Sequence, residues 1–403
     1  MFSRRPLLKL ICRRRFSSRQ SAGEKTALYD FHVENGGKMV NFGGFLLPVQ
    51  YSDLGIAASH VHTRKEASIF DVSHMLQTEV KGKGCLDYFE SICTADLRNL
   101  PENSSVLTVF TNDKGGILDD LIVTKINDEH LYVVSNAAMK LQDQKIMSEA
   151  LKDYRKKTNA EMDIRFFEPK ERGLIALQGP KAAGALQKVT DVDVSKLYFM
   201  TTSVGRVGNA ENCRITRCGY TGEDGFEISI PAERQVEVTR VLLEQEDVKL
   251  AGLGARDSLR LEAGLCLYGS DIDQTTTPVE AGLTWLVAKA RRQTGNFPGA
   301  SRILDQIRDG CARKRVGVVS STGPPARHGT KIMDQEHREI GEVTSGCPAP
   351  SLGKNISMGY VPNEHSKAGT KVLLKIRDKA YIGDVTRMPF VPSRYYVKPK
   401  GGK

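Results

Sequence analysis

Gly115-Gly116-Ile117-Leu118-Asp119-Asp120-Leu121-Ile122-Val123 is the stretch on which the fold is read. It follows the strand-like run Val106 to Asn112 across the turn sequence Asp113-Lys114-Gly115, so the two runs read as a hairpin. Successive side chains of a strand point to opposite faces. Ile117, Asp119, Leu121 and Val123 therefore share one face, and Leu118, Asp120 and Ile122 the other. Each apolar stripe is interrupted by one carboxylate. Asp is depleted in strands and costly to bury without a partner. Because the two acids point apart, they are not a shared-proton dyad. Either one faces a cavity while the other meets backbone N–H groups, or both are solvated at a strand edge.

Outward from this hairpin, strand and helix signals mix. Leu131-Tyr132-Val133-Val134 reads as a third strand, and Ile146, Ala150, Leu151 and Tyr154 fall on one helical face. Leu174 to Leu177 is a short strand, broken by Gln178-Gly179-Pro180 before a helix through Ala182, Leu186 and Val189. Cys213 to Cys218 and Phe226 to Ile230 read as strands joined by a Gly-rich loop, with Ala232 to Gln245 helical. This order predicts α+β layers and not a regular parallel sheet. After about residue 300 helical periodicity fades. Short strands at Arg315–Ser320, Lys331–Asp334, Ile340–Ser345, Ser357–Val361, Lys371–Ile376 and Ala380–Val385 predict a separate all-β module, a small barrel or sandwich.

Charge excludes one broad class of function. The 403 residues carry 58 Lys and Arg against 48 Asp and Glu. Seven of the basic residues lie within residues 1–23, which contain no acid, and the remainder is nearly neutral. A nucleic-acid surface needs concentrated positive charge, and none is found after residue 23. No apolar run reaches the length of a membrane span. The Arg-rich, acid-free leader has the composition of a mitochondrial transit peptide, and Arg14-Arg15-Phe16-Ser17 resembles a matrix-protease site. The eight cysteines include no C-x-x-C pair, which argues against a disulfide framework or zinc module.

Three further constellations carry possible chemistry. Gly219 to Gly225 is a loop with three glycines, followed by Glu227 in the strand Phe226 to Ile230. A strand carboxylate beside such a loop can accept two coplanar N–H bonds, matching the aminopyrimidinone edge of a pterin or guanine; a solvated hairpin tip is the plainer alternative. Arg256 and Arg260 lie four apart on a helix opening at Gly254, a like-charge pair that costs about 0.2–0.5 kcal/mol unless an anion, such as a carboxylate across a domain interface, offsets it. Gly252-Leu253-Gly254 lacks the third glycine of a dinucleotide loop. His60-x-His62, read at strand spacing, and His74 are weak metal candidates, and no metal is expected.

Taken in order along the chain, these runs resemble a family. Leu28-Tyr29-Asp30-Phe31, Gly36-Gly37-Lys38-Met39-Val40, Phe70 to Met75, Gly115 to Asp120, Gly219 to Glu227, Ala255 to Gly264, Thr277 to Gly282 and Gly359-Tyr360-Val361 together resemble the T-proteins of the glycine cleavage system, from residue 28 to 397. That resemblance implies a three-domain cloverleaf around a central folate cavity, with residues 28–300 as two intertwined α+β domains and 305–398 as a β-barrel. It implies a transferase in the mitochondrial matrix that takes the aminomethyl group from the lipoyl arm of H-protein. Ammonia is released, and the one-carbon unit passes to the co-substrate tetrahydrofolate. Other glycine cleavage proteins are implied partners; nucleic acid and membrane are not. By motif, Asp120 is the catalytic acid, Glu227 contacts the pterin, Arg256 and Tyr395 are further ligand contacts, and Tyr220 and Asn136 line the cavity.

Two rivals are weighed against this. A dimethylglycine or sarcosine dehydrogenase would carry a flavin domain ahead of Leu28. A non-catalytic folate-binding scaffold of the iron–sulfur assembly type would carry a K-G-C-Y-like run, where this chain has Thr294-Gly295-Asn296-Phe297-Pro298-Gly299.

The charge asymmetry ends near residue 23, so the mature chain is expected to begin between Ser17 and Ala27. N-terminal sequencing of matrix material checks this, and an intact Met1 there would refute it.

Overall fold

The strand Ala67–Asp71 enters one sheet, the chain leaves to build a second, and it returns to the first at Arg172–Gln178. The computed structural model describes residues 23–399; the leader read as a transit peptide therefore lies, except for Gly23, outside the described residues. The first sheet has six strands in the order Thr202–Val207, Ala210–Thr216, Gly225–Pro231, Arg172–Gln178, Ala67–Asp71, Val248–Leu250. The second is antiparallel and has five, in the order Ser104–Thr111, Ile117–Asn127, His130–Ser135, Leu76–Gly82, Met162–Phe166. This excursion and return intertwines the two layers. A small sheet of Glu24–Lys25, Phe45–Tyr51 and Gly37–Phe42 precedes them.

Alternation along the strands decides what each sheet buries. Ile175, Leu177, Cys213, Ile215, Phe226 and Ile228 face one way and pack under the helices Ala182–Gln187 and Gln235–Leu243. Leu121, Val123, Leu131 and Val133 pack under the helix Lys140–Thr158 through Met147 and Leu151. The remaining faces of both sheets look at each other. There Tyr132, Val134, Leu174 and Ala176 form a third core with Ala255 and Leu259.

The segment after residue 300 closes into a six-stranded antiparallel barrel, Arg313–Ser320, Lys354–Pro362, Glu339–Ala349, Lys331–Met333, Lys371–Ile376, Lys379–Thr386. Val316, Val318, Ile332, Val343, Val372 and Leu374 fill it. Of barrel and sandwich, the barrel forms. Among the described residues no helix is long and apolar enough to cross a membrane.

One expectation is corrected. His60 and His62 lie on a helix, Ile56–Lys65, and not on a strand. The helix shows no apolar stripe because its buried face is polar: Ser59, His60, Thr63 and Arg64. Those residues join a network that ties the layers to the barrel. The Arg64 guanidinium donates to Glu262 at 2.9 Å, to Glu223 at 2.9 Å and to the Thr221 carbonyl at 2.6 Å. Glu262, on the helix Leu253–Glu262, also meets His60 at 3.0 Å and accepts from the barrel's Ser351 hydroxyl at 2.7 Å.

Arg64→Met would leave two buried carboxylates without their cation. Breaking one partner out of a buried ion network costs about 3–5 kcal/mol, so the urea midpoint should fall sharply while Lys25→Met, which breaks an exposed pair, should leave it nearly unmoved.

Candidate active site

Strand alternation places the two acids of Ile117–Asn127 on opposite faces. Asp119 shares its face with Leu121 and Val123, which belong to the core under the long helix, and it is fully buried. Asp120 is half-buried and shares its face with Ile122 and Thr124, which line a narrow cleft between the two sheets. Asn136, just past the end of the neighbouring strand His130–Ser135, bridges the pair. Its backbone N–H donates to Asp119 at 3.1 Å. Its amide donates to the Asp119 carboxylate at 2.9 Å and to the Asp120 carboxylate at 3.1 Å. One acid thus meets a backbone N–H, and the other lies on the opposite strand face, on the side of the cleft-lining Ile122 and Thr124.

The opposite wall comes from the six-stranded sheet. Phe226 and Ile228 point into its core, so Glu227 points into the cleft beside Ser229, Thr216, Arg214 and Cys218. The loop before it can turn so tightly because Gly222 adopts φ +77°, a region that disfavours side chains. The loop is pinned by the Thr221 hydroxyl on Gln178 at 2.8 Å and by Arg64.

The like-charged arginines of Leu253–Glu262 separate in role. Arg260 is buried and saturated, donating to Asp257 at 2.9 Å, Asp271 at 2.6 Å and the barrel's Ser345 at 2.9 Å. Arg256 has no such partner. It lies 4.7 Å over the Tyr220 ring, with one buried guanidinium nitrogen left without an acceptor. Tyr220 is held by its hydroxyl on the Cys266 carbonyl.

Burial is the main influence on each acid here. It pushes Asp120 up to about 7, with the neighbouring Asp119 carboxylate adding to it and the Asn136 amide opposing. It also raises Glu227, against the pull of the Arg256 guanidinium. His74, pressed against Phe42 and Phe45, is pushed down to about 4 by burial and by Arg256, so it stays neutral near pH 7.

The structure therefore gathers Asp120 and Asn136 on one wall and Glu227, Arg256 and Tyr220 on the other. Tyr395 arrives differently. The tail after the barrel crosses back over the six-stranded sheet, where the Arg394 N–H donates to the Gly222 carbonyl at 2.8 Å and Tyr395 stacks on Phe199 at 4.0 Å. The three histidines do not converge: His60 serves Ser258 and Glu262, His62 the Ala67 carbonyl, and His74 the aromatic pair. Among the described residues no group of three His, Cys, Asp or Glu could hold a metal ion.

Two residues escaped the sequence reading. Arg214 lines the cleft with its guanidinium over Tyr132 at 5.0 Å. Asp143, in the first turn of Lys140–Thr158, is fully buried against Asp119. Its signal was present, since Asp143, Met147 and Leu151 fall at i, i+4 and i+8 on the buried face, and an acid on such a stripe is anomalous.

Comparison with known proteins agrees along most of the chain. Residues 28–291 match the model described as the GCVT N-terminal domain, and residues 313–392 match the glycine cleavage T-protein C-terminal barrel domain. The chain is 50% identical to the mitochondrial aminomethyltransferase of Flaveria pringlei over 390 residues, 96% of this chain and 94% of that one. It is 49% identical to the mitochondrial aminomethyltransferase of Mus musculus over 387 residues, again 96% and 94%. The crystal structure of glycine cleavage system aminomethyltransferase T from Bartonella henselae superposes with a TM-score of 0.86 at 37% identity, covering 93% of this chain and 99% of that chain.

Carbon-13 carboxyl NMR should find Asp120 half-ionised near pH 7, with the ionised fraction growing as pH rises. Asp119→Asn should move that midpoint down, because a neighbouring carboxylate no longer opposes ionisation.

Proposed function

The chain belongs to the glycine cleavage T-protein family, and from that premise we propose the reaction that its cleft serves. It takes the aminomethyl group from the lipoyl arm of H-protein, releases ammonia and passes the methylene carbon to tetrahydrofolate, giving 5,10-methylenetetrahydrofolate. Residues 28–300 carry the cleft and residues 305–398 brace it. The relatives' names and the Arg-rich leader support a mitochondrial matrix location, in company with the other glycine cleavage proteins.

The observation that carries this reading is an acid with no cation on one wall and, on the other, a carboxylate with an unpaired guanidinium near it. Glu227 meets only the Cys218 thiol, and Arg256 keeps an unfilled donor. Buried polar groups of this kind are costly unless a ligand completes them. Tetrahydrofolate supplies a nucleophilic nitrogen and an aminopyrimidinone edge with adjacent donors. Glu227 is suited to accept those donors and Arg256 to give a hydrogen bond beside them. Tyr220 and Asn136 bound the space, and Tyr395 on its strap stands near the loop that precedes Glu227.

Asp120 is placed for the proton work. Releasing ammonia and forming a carbon–nitrogen bond both require a proton to change place near a carbon of developing positive charge. A carboxyl poised near neutrality can hold that proton, and its anion stabilises the positive carbon. Asn136 aims the carboxylate by its amide. Because the ionised form is the stabilising one, turnover should rise with pH through about 7.

A non-catalytic scaffold would bind folate without turnover, so an assay with aminomethylated H-protein separates the two outright. Asp120→Asn should cut methylene transfer by about 10²–10⁴-fold, the scale of a positioned acid or base, with little change in folate affinity. Glu227→Gln should do the reverse. It puts a donor against a donor and weakens folate binding by about 1.5–3 kcal/mol, measured by calorimetry. Normal turnover in the Asp120 variant, or unchanged affinity in the Glu227 variant, would overturn the respective role.

A further inference from the structure

Three carboxyls, Asp119, Asp120 and Asp143, gather at the end of the hairpin strand without a cation. None of them forms an ion pair among the described residues. The other titratable groups acting there are the Tyr268 hydroxyl, which donates to the Ile117 carbonyl at 3.2 Å, and the Tyr220 hydroxyl and Cys266 thiol near Asp120. Asp119 and Asp143 are each fully buried and in side-chain contact. Asp119 already accepts two N–H bonds from Asn136, while no N–H group bonds either oxygen of Asp143 and the hydroxyl beside it is that of Ser135. Two bare carboxylates cannot sit against each other in such a place; one proton between them turns repulsion into a short charge-assisted bond. The charge that remains is favoured by the first turn of Lys140–Thr158, where the helix dipole is positive.

We propose that Asp143 is a positioning residue for the reaction: it shares one proton with Asp119, and the locked pair fixes the Asn136 amide that orients the Asp120 carboxylate. This rests on the reading of Asp120 given above. The chain of contacts is short and directional. Asp143 holds Asp119 through the proton, Asp119 holds both N–H groups of Asn136, and the Asn136 amide reaches Asp120. Burial raises both Asp119 and Asp143, which keeps the shared proton in place through neutral pH. Loss of that proton at alkaline pH sets two buried anions against each other and releases Asn136.

The experiment has a kinetic and a spectroscopic arm. Wild type should lose kcat at alkaline pH with KM for tetrahydrofolate nearly constant. Asp143→Asn replaces the proton with an amide donor that cannot dissociate, so it should lower kcat by only about threefold near neutrality and abolish the alkaline limb. Asp143→Leu offers no donor and should lower kcat by about tenfold or more, within the range a positioned acid or base contributes. Infrared spectra of the ligand-free protein at pH 8 should show a protonated-carboxyl band in wild type that disappears in Asp143→Asn. An alkaline limb retained in Asp143→Asn, or wild-type kcat in Asp143→Leu, would overturn the positioning role. A band absent from wild type or unchanged in Asp143→Asn would overturn the shared proton. The infrared arm needs no substrate, so it stands even if Asp120→Asn turns over normally and the reading of the reaction fails. If Asp143→Leu does not fold, the near-isosteric Asn variant and the wild-type spectrum still decide.

Discussion

The helix Leu253–Glu262 is the constraint on which the rest of the molecule depends. Its apolar side supplies Ala255 and Leu259 to the core between the sheets, while Leu261 packs against the barrel residues Ala349, Ile356 and Met358. Its charged side points three ways. Arg260 binds Asp271 and the barrel's Ser345, and Glu262 binds Arg64, His60 and Ser351. Both are removed from water, and each is saturated by several short bonds, the condition under which buried charge is tolerable. Arg256 is the exception. The carboxylate acting on it is Glu227, on the same wall, and the two form no ion pair among the described residues. An unpaired guanidinium at the site is thus a by-product of how the other two charges hold three layers together.

Two sheets facing each other explain why that site is polar at all. Each has an apolar face committed to its own helices, so the alternating positions that remain must look inward. The inner faces mix the two kinds of residue: Leu174 pairs with Ser229, Ala176 with Glu227 and Tyr132 with Thr124. The chain's excursion from Ala67–Asp71 through the second sheet and back places these walls opposite each other.

Local pattern made most of this frame legible. Strand alternation separated Asp119 from Asp120 and turned Glu227 away from Phe226 and Ile228. The barrel strands stood out by their turn glycines. The anion expected for the arginine pair exists, but only for Arg260, where Asp271 lies eleven positions on in sequence. What escaped was non-local or masked by polarity. Ile56–Lys65 hides a polar face inside the protein, so no apolar period betrayed it and its histidines were misplaced on a strand. Nothing local to Tyr395 says that the tail crosses back to Phe199 and Gly222. Asp143 was visible as an acid on an apolar stripe, but its meaning depends on Asp119, twenty-four positions earlier on another element.

The two inward-facing acids show how one residue type acquires two roles from its neighbours. Glu227 is half-buried near Arg256, which opposes the rise that desolvation imposes. A carboxylate so supported is suited to accept hydrogen bonds and stay where it is. Asp120 has only a further acid beside it, and both burial and that neighbour push the same way. Its charge is therefore poorly stabilised, and it gives up or takes a proton near neutrality. Asn136 is the element that keeps such an acid from simply turning away, since its amide reaches Asp120 while its other bonds tie it to Asp119. Binding falls to the acid with a cation, and proton transfer to the acid without one.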